Sequence, residues 1–494
     1  MRRISGCSRL VLALIFLASC DEDDMTSPSS IVETVAVIPG VFSLVVDDTL
    51  RLTTIARGEI GNTLVGRPVV WETSSASVAT VSATGLVTAV GAGGVNITAT
   101  IEGKVGTASV TVSPHFATAA FASVTAGGSH TCALTSSGVA YCWGRGESGQ
   151  LGVPPPVTTC LNPPIACGLV PFPVDGGLRF ERLSAGGAHT CGLTSDGSAW
   201  CWGDNSFGQL GDGSVTARKA PVAVATSERF TRIAAGNAHT CALTSAGAAW
   251  CWGENQRGEL GDGTTLRRTS PVHVVAPAGV AFQQIAPGAD AFRGFTCGLA
   301  TTGTAYCWGA NDRGQLGRGN HDNVPTPHPQ PEPVSGSLVF ATLVAGFGDH
   351  VCGLTAAGAA YCWGGGSDGQ LGDGLPVDSW LPLALPGMTF VQLVSAGQSG
   401  DGAFTCGLTS GGAAYCWGSN NSGMVGDGTI GGQRTRPVAV TGGHQFASLS
   451  GGWVHACGRT IGGVVYCWGS SRVGQLGINY TTTIGTPVKV MGQP

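Results

Sequence analysis

Residues 129–144 read SHTCALTSSGVAYCWG, and the fold turns on how this stretch doubles back on itself. Apolar and polar residues alternate on both sides of Ser136-Ser137-Gly138, the pattern of two strands that each bury one face. A three-residue loop with glycine at the position needing positive φ would join them. Folding there sets Thr135 opposite Val139 and Cys132 opposite Cys142. Hydrogen-bonded and non-hydrogen-bonded pairs alternate along such a ladder. If the closing pair is hydrogen-bonded, the cysteines occupy a non-hydrogen-bonded pair with Cα atoms about 4.5 Å apart. That separation lies at the short end of the range a disulfide accepts. A bridge inside the hairpin is therefore expected, contributing roughly 2–3 kcal/mol in the chain-entropy model.

The stretch recurs. The unit is F-x-x-(V/I/L)-x-A-G-x-x-H-T-C-x-L-T-x-x-G-x-A-(Y/W)-C-W-G, then G-Q-L-G, a variable loop and P-V. The same spacing pairs Cys132 with Cys142, Cys191 with Cys201, Cys241 with Cys251, and Cys297 with Cys307. It also pairs Cys352 with Cys362, Cys406 with Cys416, and Cys457 with Cys467. The first cysteines follow one another at 59, 50, 56, 55, 54 and 51 residues. A period near 50 with several short strands per unit points to a β-propeller, here of seven blades. The strand Phe121–Ala126 has no P-V strand before it, and Pro487–Val490 has no F-strand after it. Pairing these two would close the ring and hide both edges.

Metal binding is the rival reading of His130-Thr131-Cys132. Zinc sites pair cysteines two to four residues apart, not ten. Phe295 and Phe404 also replace the histidine in repeats four and six while both cysteine pairs remain. His130, His189, His239, His350 and His455 are thus expected to be buried hydrogen-bonding residues, and no metal or other cofactor is expected.

The array resembles the regulator of chromosome condensation repeat family, a seven-bladed propeller. SHTCALTSSGVAYCWG, GESGQLG and their equivalents carry the resemblance over about three quarters of the chain. The cysteine pairs depart from the eukaryotic pattern and suit an exported version. The resemblance implies a docking platform, guanine-nucleotide exchange, or inhibition of an enzyme such as a protease or β-lactamase. An exported protein does not meet cytosolic GTPases, so exchange is the second choice.

The amino terminus points to export. Arg2 and Arg3 precede an apolar run, Leu10–Leu17, that falls short of the about 20 residues needed to span a bilayer. Leu17-Ala18-Ser19-Cys20 resembles a bacterial lipobox, which implies a signal peptide over 1–19 and lipid on Cys20. Residues 20–30 are acidic and then Ser/Pro-rich, as a tether would be. Residues 31–114 contain no cysteine and read as short strands separated by turn residues. The two runs around Gly85 form a hairpin, and Trp71 is a core aromatic. The stretch WETSSASVATVSATGLVTAVGAGGVNITAT resembles the bacterial immunoglobulin-like group-2 domain, which implies a small β-sandwich acting as a spacer. The whole chain is thus expected to be all-β: this sandwich, then the propeller over 115–494.

Composition agrees. Glycine occupies 80 positions and only 11% of residues are charged, while 43% are hydrophobic, so the glycine excess does not mean disorder. A net charge of −5 with three lysines argues against a nucleic-acid partner. Gly365–Gly369 fits the G-x-S-x-G elbow and Gly364–Gly369 fits G-x-G-x-x-G, but both sit where other repeats carry a turn. The recurrent LGDG aspartates Asp212, Asp262, Asp373 and Asp427 suit turns and lack the ligand spacing of a calcium loop. An enzyme is not expected.

Repeats differ mainly in their loops, where function is usually carried. From the Ala-Gly glycine to the first cysteine takes five residues in repeats one, two, three and seven, six in repeat five, and nine in repeats four and six. The additions include Asp290, Phe292, Arg293, Phe347, Asp349 and Asp401. Repeat one instead lengthens its last connection, which Cys160 and Cys167 would staple. These connections should emerge on one face, the candidate surface for a protein or surface-glycan partner of a lipid-anchored, non-enzymatic interaction protein of the cell envelope.

Overall fold

The computed structural model describes residues 31–46, 48–91, 93–113, 120–153, 159–161, 164–290, 293–398 and 402–493. Cys20 and the segment read as signal and tether lie outside them. Among the described residues no helix is long and apolar enough to cross a membrane. The chain divides into two compact units at His115/Phe116.

In the first unit, Lys104–Ser113 lies between two partners. It runs antiparallel to Gly93–Ile101, which in turn pairs with Val70–Thr73, and parallel to Val41–Val45. Two three-stranded sheets complete the unit. Alternate residues of these strands, Val87, Ile97, Ala99, Ala108 and Val110 among them, form one core. The expected hairpin is present, with Ala79–Val81 paired to Leu86–Ala89. Its turn residue Gly85 has φ +76°, and a Cβ there would stand 2.9 Å from the Trp71 ring. Trp71 is half-buried and packs on the core.

The second unit is seven antiparallel sheets, one per repeat, in the strand order of the sequence. The first holds Phe121–Ala126, His130–Thr135, Ala140–Arg145 and Ile165–Pro173, with the two-residue strand Thr159–Cys160 added at its edge. The last holds Phe446–Gly451, His455–Thr460, Val465–Gly469 and Ile484–Lys489. The first strands of successive sheets touch one another around the ring, and that of the seventh touches that of the first. They are the innermost strands, and the proline-bearing fourth strands form the outer edge. A missing N–H at Pro221, Pro271 or Pro437 blunts that edge as a template for further pairing.

The hairpin register is the one read from the sequence: Cys132 faces Cys142, and the Thr135 N–H donates to the Val139 carbonyl at 3.0 Å. Gly138 has φ +81°. All seven hairpin disulfides are formed. Cys132 is bonded to Cys142, Cys191 to Cys201, Cys241 to Cys251, and Cys297 to Cys307. Cys352 is bonded to Cys362, Cys406 to Cys416, and Cys457 to Cys467. Their Cα atoms are 4.0–4.1 Å apart, tighter than the spacing expected of an unbridged pair. Cys160 is bonded to Cys167 with Cα atoms 6.0 Å apart.

Closure differs from expectation. Phe121–Ala126 pairs with His130–Thr135, and Ile484–Lys489 pairs with Val465–Gly469, so no strand is exchanged between the first and last blades. Each repeat already supplies a complete sheet of hairpin-linked strands, and no strand is left over to pair. The ring is held at its closing joint, as at every other, by side chains and by isolated backbone hydrogen bonds between connections, the Trp453 N–H to Gly128 for example.

Candidate partner-binding face and the blade joints

Every joint uses one arrangement. The backbone carbonyl at the Gln position of GQLG accepts the indole N–H of the next blade's tryptophan. Trp202 donates to Gln150, Trp252 to Gln209, Trp308 to Glu259, Trp363 to Gln315, Trp417 to Gln370, Trp468 to Met424 and Trp143 to Gln475, all at 2.9–3.0 Å. All seven tryptophans are fully buried.

In five joints the same carbonyl also accepts a threonine hydroxyl. Thr190 donates to Gln150, Thr240 to Gln209, Thr296 to Glu259, Thr405 to Gln370 and Thr131 to Gln475. The hydroxyl proton is thereby used. The Nε2–H of the preceding blade's histidine donates to the same oxygen: His130 to Thr190, His189 to Thr240, His239 to Thr296, His350 to Thr405 and His455 to Thr131, at 2.8–2.9 Å. This assigns the Nε2–H tautomer and a neutral ring. Burial holds His130, His239, His350 and His455 at a pKa of about 3 and His189 at about 4. The five histidines are thus joint residues, buried and hydrogen-bonded as the sequence reading expects.

The two exceptions match. Phe295 meets Val351 where the threonine would stand, in one apolar cluster, and Phe404 meets Ala456 in another. Where the acceptor hydroxyl is absent the donor is absent too, so no buried N–H is left unpaired.

Glu259 is the one acid at the Gln position. It is 1% exposed, and its Oε2 accepts the Arg257 N–H at 2.8 Å. Burial raises its pKa to about 7 from an ordinary 4.5. The neutral acid is the form the fold favours. Its contribution is complete below pH 4.5 and is lost as pH rises through 7. Glu259→Gln is therefore expected to match the parent near pH 4.5 and exceed it by about 2–3 kcal/mol at pH 8. Paired urea titrations at both pH values check this; a pH-independent difference contradicts it.

The LGDG aspartates fasten their own turns. Asp212 accepts the Ser214 N–H and hydroxyl, the Asn205 amide and the Arg218 guanidinium. Asp262 repeats this with Thr264 and Arg268, and Asp427 with Thr429 and Arg434. Burial alone would raise these carboxyls, but the hydrogen bonds outweigh it and leave all three lowered. No group of three metal-ligating side chains exists among the described residues. Residues 367–369 form a turn with Gly369 at φ +79°, which gives neither glycine motif the context its chemistry needs.

The two kinds of lengthened connection do share a face. The Arg145 N–H at the end of one blade's third strand donates to Ser129 in the first connection, as Asp204 does to Ala188 and Glu254 to Ala238. The additions in repeats four and six are longer hairpins rather than open loops: Asp290 pairs with Arg293, and Gln398 with Gly402. Arg293 bridges Asp312 at 3.3 Å and Asp349 of the next blade at 2.9 Å. Sequence alone does not single out Asp312, because only the fold brings it to Arg293. Phe347 is 6% exposed and meets the Trp453 ring edge-on with centroids 6.3 Å apart. The two come from equivalent connections of blades five and seven and pack together at the inner rim, so Phe347 is a packing residue and not a contact offered to a partner. Phe292 and Asp401 lie outside the described residues.

The stapled connection of blade one lies over the closing joint. Cys160, Cys167, Ile165 and Leu169 pack on Val473 of blade seven, and the Asn479 N–H donates to Leu169 at 3.0 Å. Five of the other joints make the equivalent bond from a glycine, Gly213 to Thr269 for example. Asn479 tolerates the same backbone with φ 62°.

Seven sheets, six of four strands and the first with a short fifth, that share one kind of joint define a seven-bladed propeller. The chain belongs to the RCC1-like family: the RCC1-like domain matches residues 67–347, and the regulator of chromosome condensation (RCC1) repeat matches 357–400 and 393–423. The first match begins inside the amino-terminal unit, ahead of the first blade. The ultraviolet-B receptor UVR8 of Arabidopsis thaliana is 32% identical over 363 residues, 72% of this chain and 66% of the receptor. The human E3 ubiquitin-protein ligase HERC2 is 28% identical over 333 residues, 67% of this chain and 6% of the ligase. The chain thus spans under two thirds of either relative. Among solved structures, yeast RCC1 (Prp20) bound to Kap60 has a TM-score of 0.61 at 20% identity, covering 71% of this chain and 83% of that one. Prp20p of Saccharomyces cerevisiae, described with its binding to Gsp1p and histones, has 0.60 at 22%, covering 72% and 87%. Both show the fold.

Proposed function

We propose that this protein is an exported, lipid-anchored and non-enzymatic interaction protein whose propeller presents its loop-bearing face to a protein partner. In this reading residues 31–114 are a bacterial immunoglobulin-like spacer, and Cys20 carries the lipid. The observation that carries it is where the polar groups lie. The five histidines that could serve as bases are buried between blades with their Nε2–H bonds made, whereas the inserted residues collect on one face. Eight disulfides suit an oxidising compartment. Yeast RCC1 (Prp20), which shares the fold, has been seen bound to a protein, Kap60.

The test is cross-linking on intact cells with mass spectrometry of what is captured. It compares the full chain with a variant whose fourth and sixth repeats carry the five-residue spacing of the others. The expected result is a recurrent protein partner lost in the variant. Equal capture by both chains contradicts the assignment of this face. Nucleotide release from a GTPase, or inhibition of a hydrolase at stoichiometric amounts, would instead favour the exchange-factor or inhibitor reading.

A further inference from the structure

A cleft of about 330 Å³ opens on the loop-bearing face where blades six, seven and one meet. Its walls divide by chemistry. Arg145 and Arg472 are its cationic lining residues, Ser129 and Ser422 are among its polar ones, and Leu161, Ile165 and Val473 are apolar. No carboxylate lines it. Glu147 holds Arg145 at 2.6 Å, but Arg472 has no ion pair among the described residues. The apolar wall is built by the stapled connection of blade one, whose bridge between Cys160 and Cys167 is itself buried against Val473. Beside the bridge Leu161 sits at φ 68° and is 55% exposed. Few bulky residues adopt that backbone, and such positions persist only where the surroundings impose them. The staple therefore holds an exposed apolar side chain at a cleft that two arginines also line.

We propose that this cleft takes an acidic peptide segment of the partner, with a carboxylate on Arg472 and a neighbouring aliphatic side chain against Leu161. The inference rests on the platform reading above and names its ligand chemistry. A guanidinium without an ion-pair partner among the described residues, in a cleft that serines also line and no carboxylate does, matches a carboxylate, and the apolar lining favours peptide over a uniformly polar anion.

The test uses the full chain and three fluorescently labelled hexapeptides, alternating leucine with glutamate, glutamine or lysine. Binding of the glutamate peptide alone is expected. It should weaken at least tenfold in Arg472→Ala and several-fold in Leu161→Asn, which keeps the left-handed backbone but removes the aliphatic group. Both residues are exposed, so an unchanged melting temperature confirms folding. Equal binding of the glutamine peptide, indifference to Arg472→Ala, or tighter binding of an oligogalacturonate than of the peptide would overturn the proposal. If the chain captures a partner on cells yet binds none of the peptides, the cleft assignment falls and the platform stands.

Discussion

Acidification from pH 7 to about pH 4.5 is expected to unfold the propeller, with the five joint histidines setting the steepness. An unfolded imidazole takes up its proton near 6.5, whereas these buried rings do so only near 3 or 4. Above 6.5 their contribution is complete and flat. Below it the unfolded chain binds more protons and stability drains away. Each ring is worth up to about 1.4 kcal/mol per pH unit, so five together approach about 7. Glu259 acts in the opposite sense as pH falls from 7 and offsets roughly one histidine. Net of Glu259 the loss comes to about 11 kcal/mol over two such units, which exceeds most of the usual net stability of about 5–15 kcal/mol. Urea midpoints at half-unit steps of pH measure this. The control replaces His239 and Thr296 by phenylalanine and valine, copying the joint of Phe295 with Val351, and should lower the slope by about one fifth. A midpoint that is level from pH 7 to 5 would contradict the joint assignment.

The second large effect is on the disulfides. The fourteen hairpin sulfurs belong to residues at most 1% exposed, so reductant at neutral pH should leave them intact while the chain is folded. Unfolding in urea with reductant should then be irreversible on removing the urea, whereas unfolding without it is reversible. In the chain-entropy model seven bridges at roughly 2–3 kcal/mol each contribute on the order of 15–20 kcal/mol, as much as a domain's entire net stability. A single variant, Cys191→Ala with Cys201→Ala, should cost about 2–3 kcal/mol, read from the urea midpoint. Refolding of the fully reduced chain to the same midpoint would show that the bridges are dispensable.

Most of the scaffold is legible in the sequence because it is local and repeated. Hairpin register follows from alternation and one glycine, so Cys132 has to face Cys142 once Gly138 is placed. The same argument carries to Cys241 with Cys251, Cys297 with Cys307, Cys352 with Cys362, Cys406 with Cys416, and Cys457 with Cys467, and the structure forms every one. The staple across Cys160 and Cys167 is legible because the two stand close in one inserted connection. The closing of the ring is not. Strand exchange between Phe121–Ala126 and the terminal strand is an argument from edges, but the decision lies in bonds between residues more than 300 positions apart, such as Thr131 with His455 and Trp143 with Gln475. The phenylalanines at 295 and 404 are visible in sequence and argue there against metal. Their reason is not visible, because Val351 and Ala456 become their partners only when blades stack.

The candidate face shows the same division. Counting residues locates the long connections, and alternation of strands puts them on one side. Burial then sorts them: Phe347 turns inward onto Trp453, Arg293 is claimed by Asp312 and Asp349, and Arg472, unremarkable in sequence, stands in a cleft with no ion pair among the described residues. Residues near one another in the chain determine the strands, hairpins, bridges and repeat number, since period-two patterning and short loops act over about ten residues. Which side chains are buried, paired or available is decided only by the tertiary structure, because each joint is completed by a blade some fifty residues away and the last by a blade at the other end of the chain.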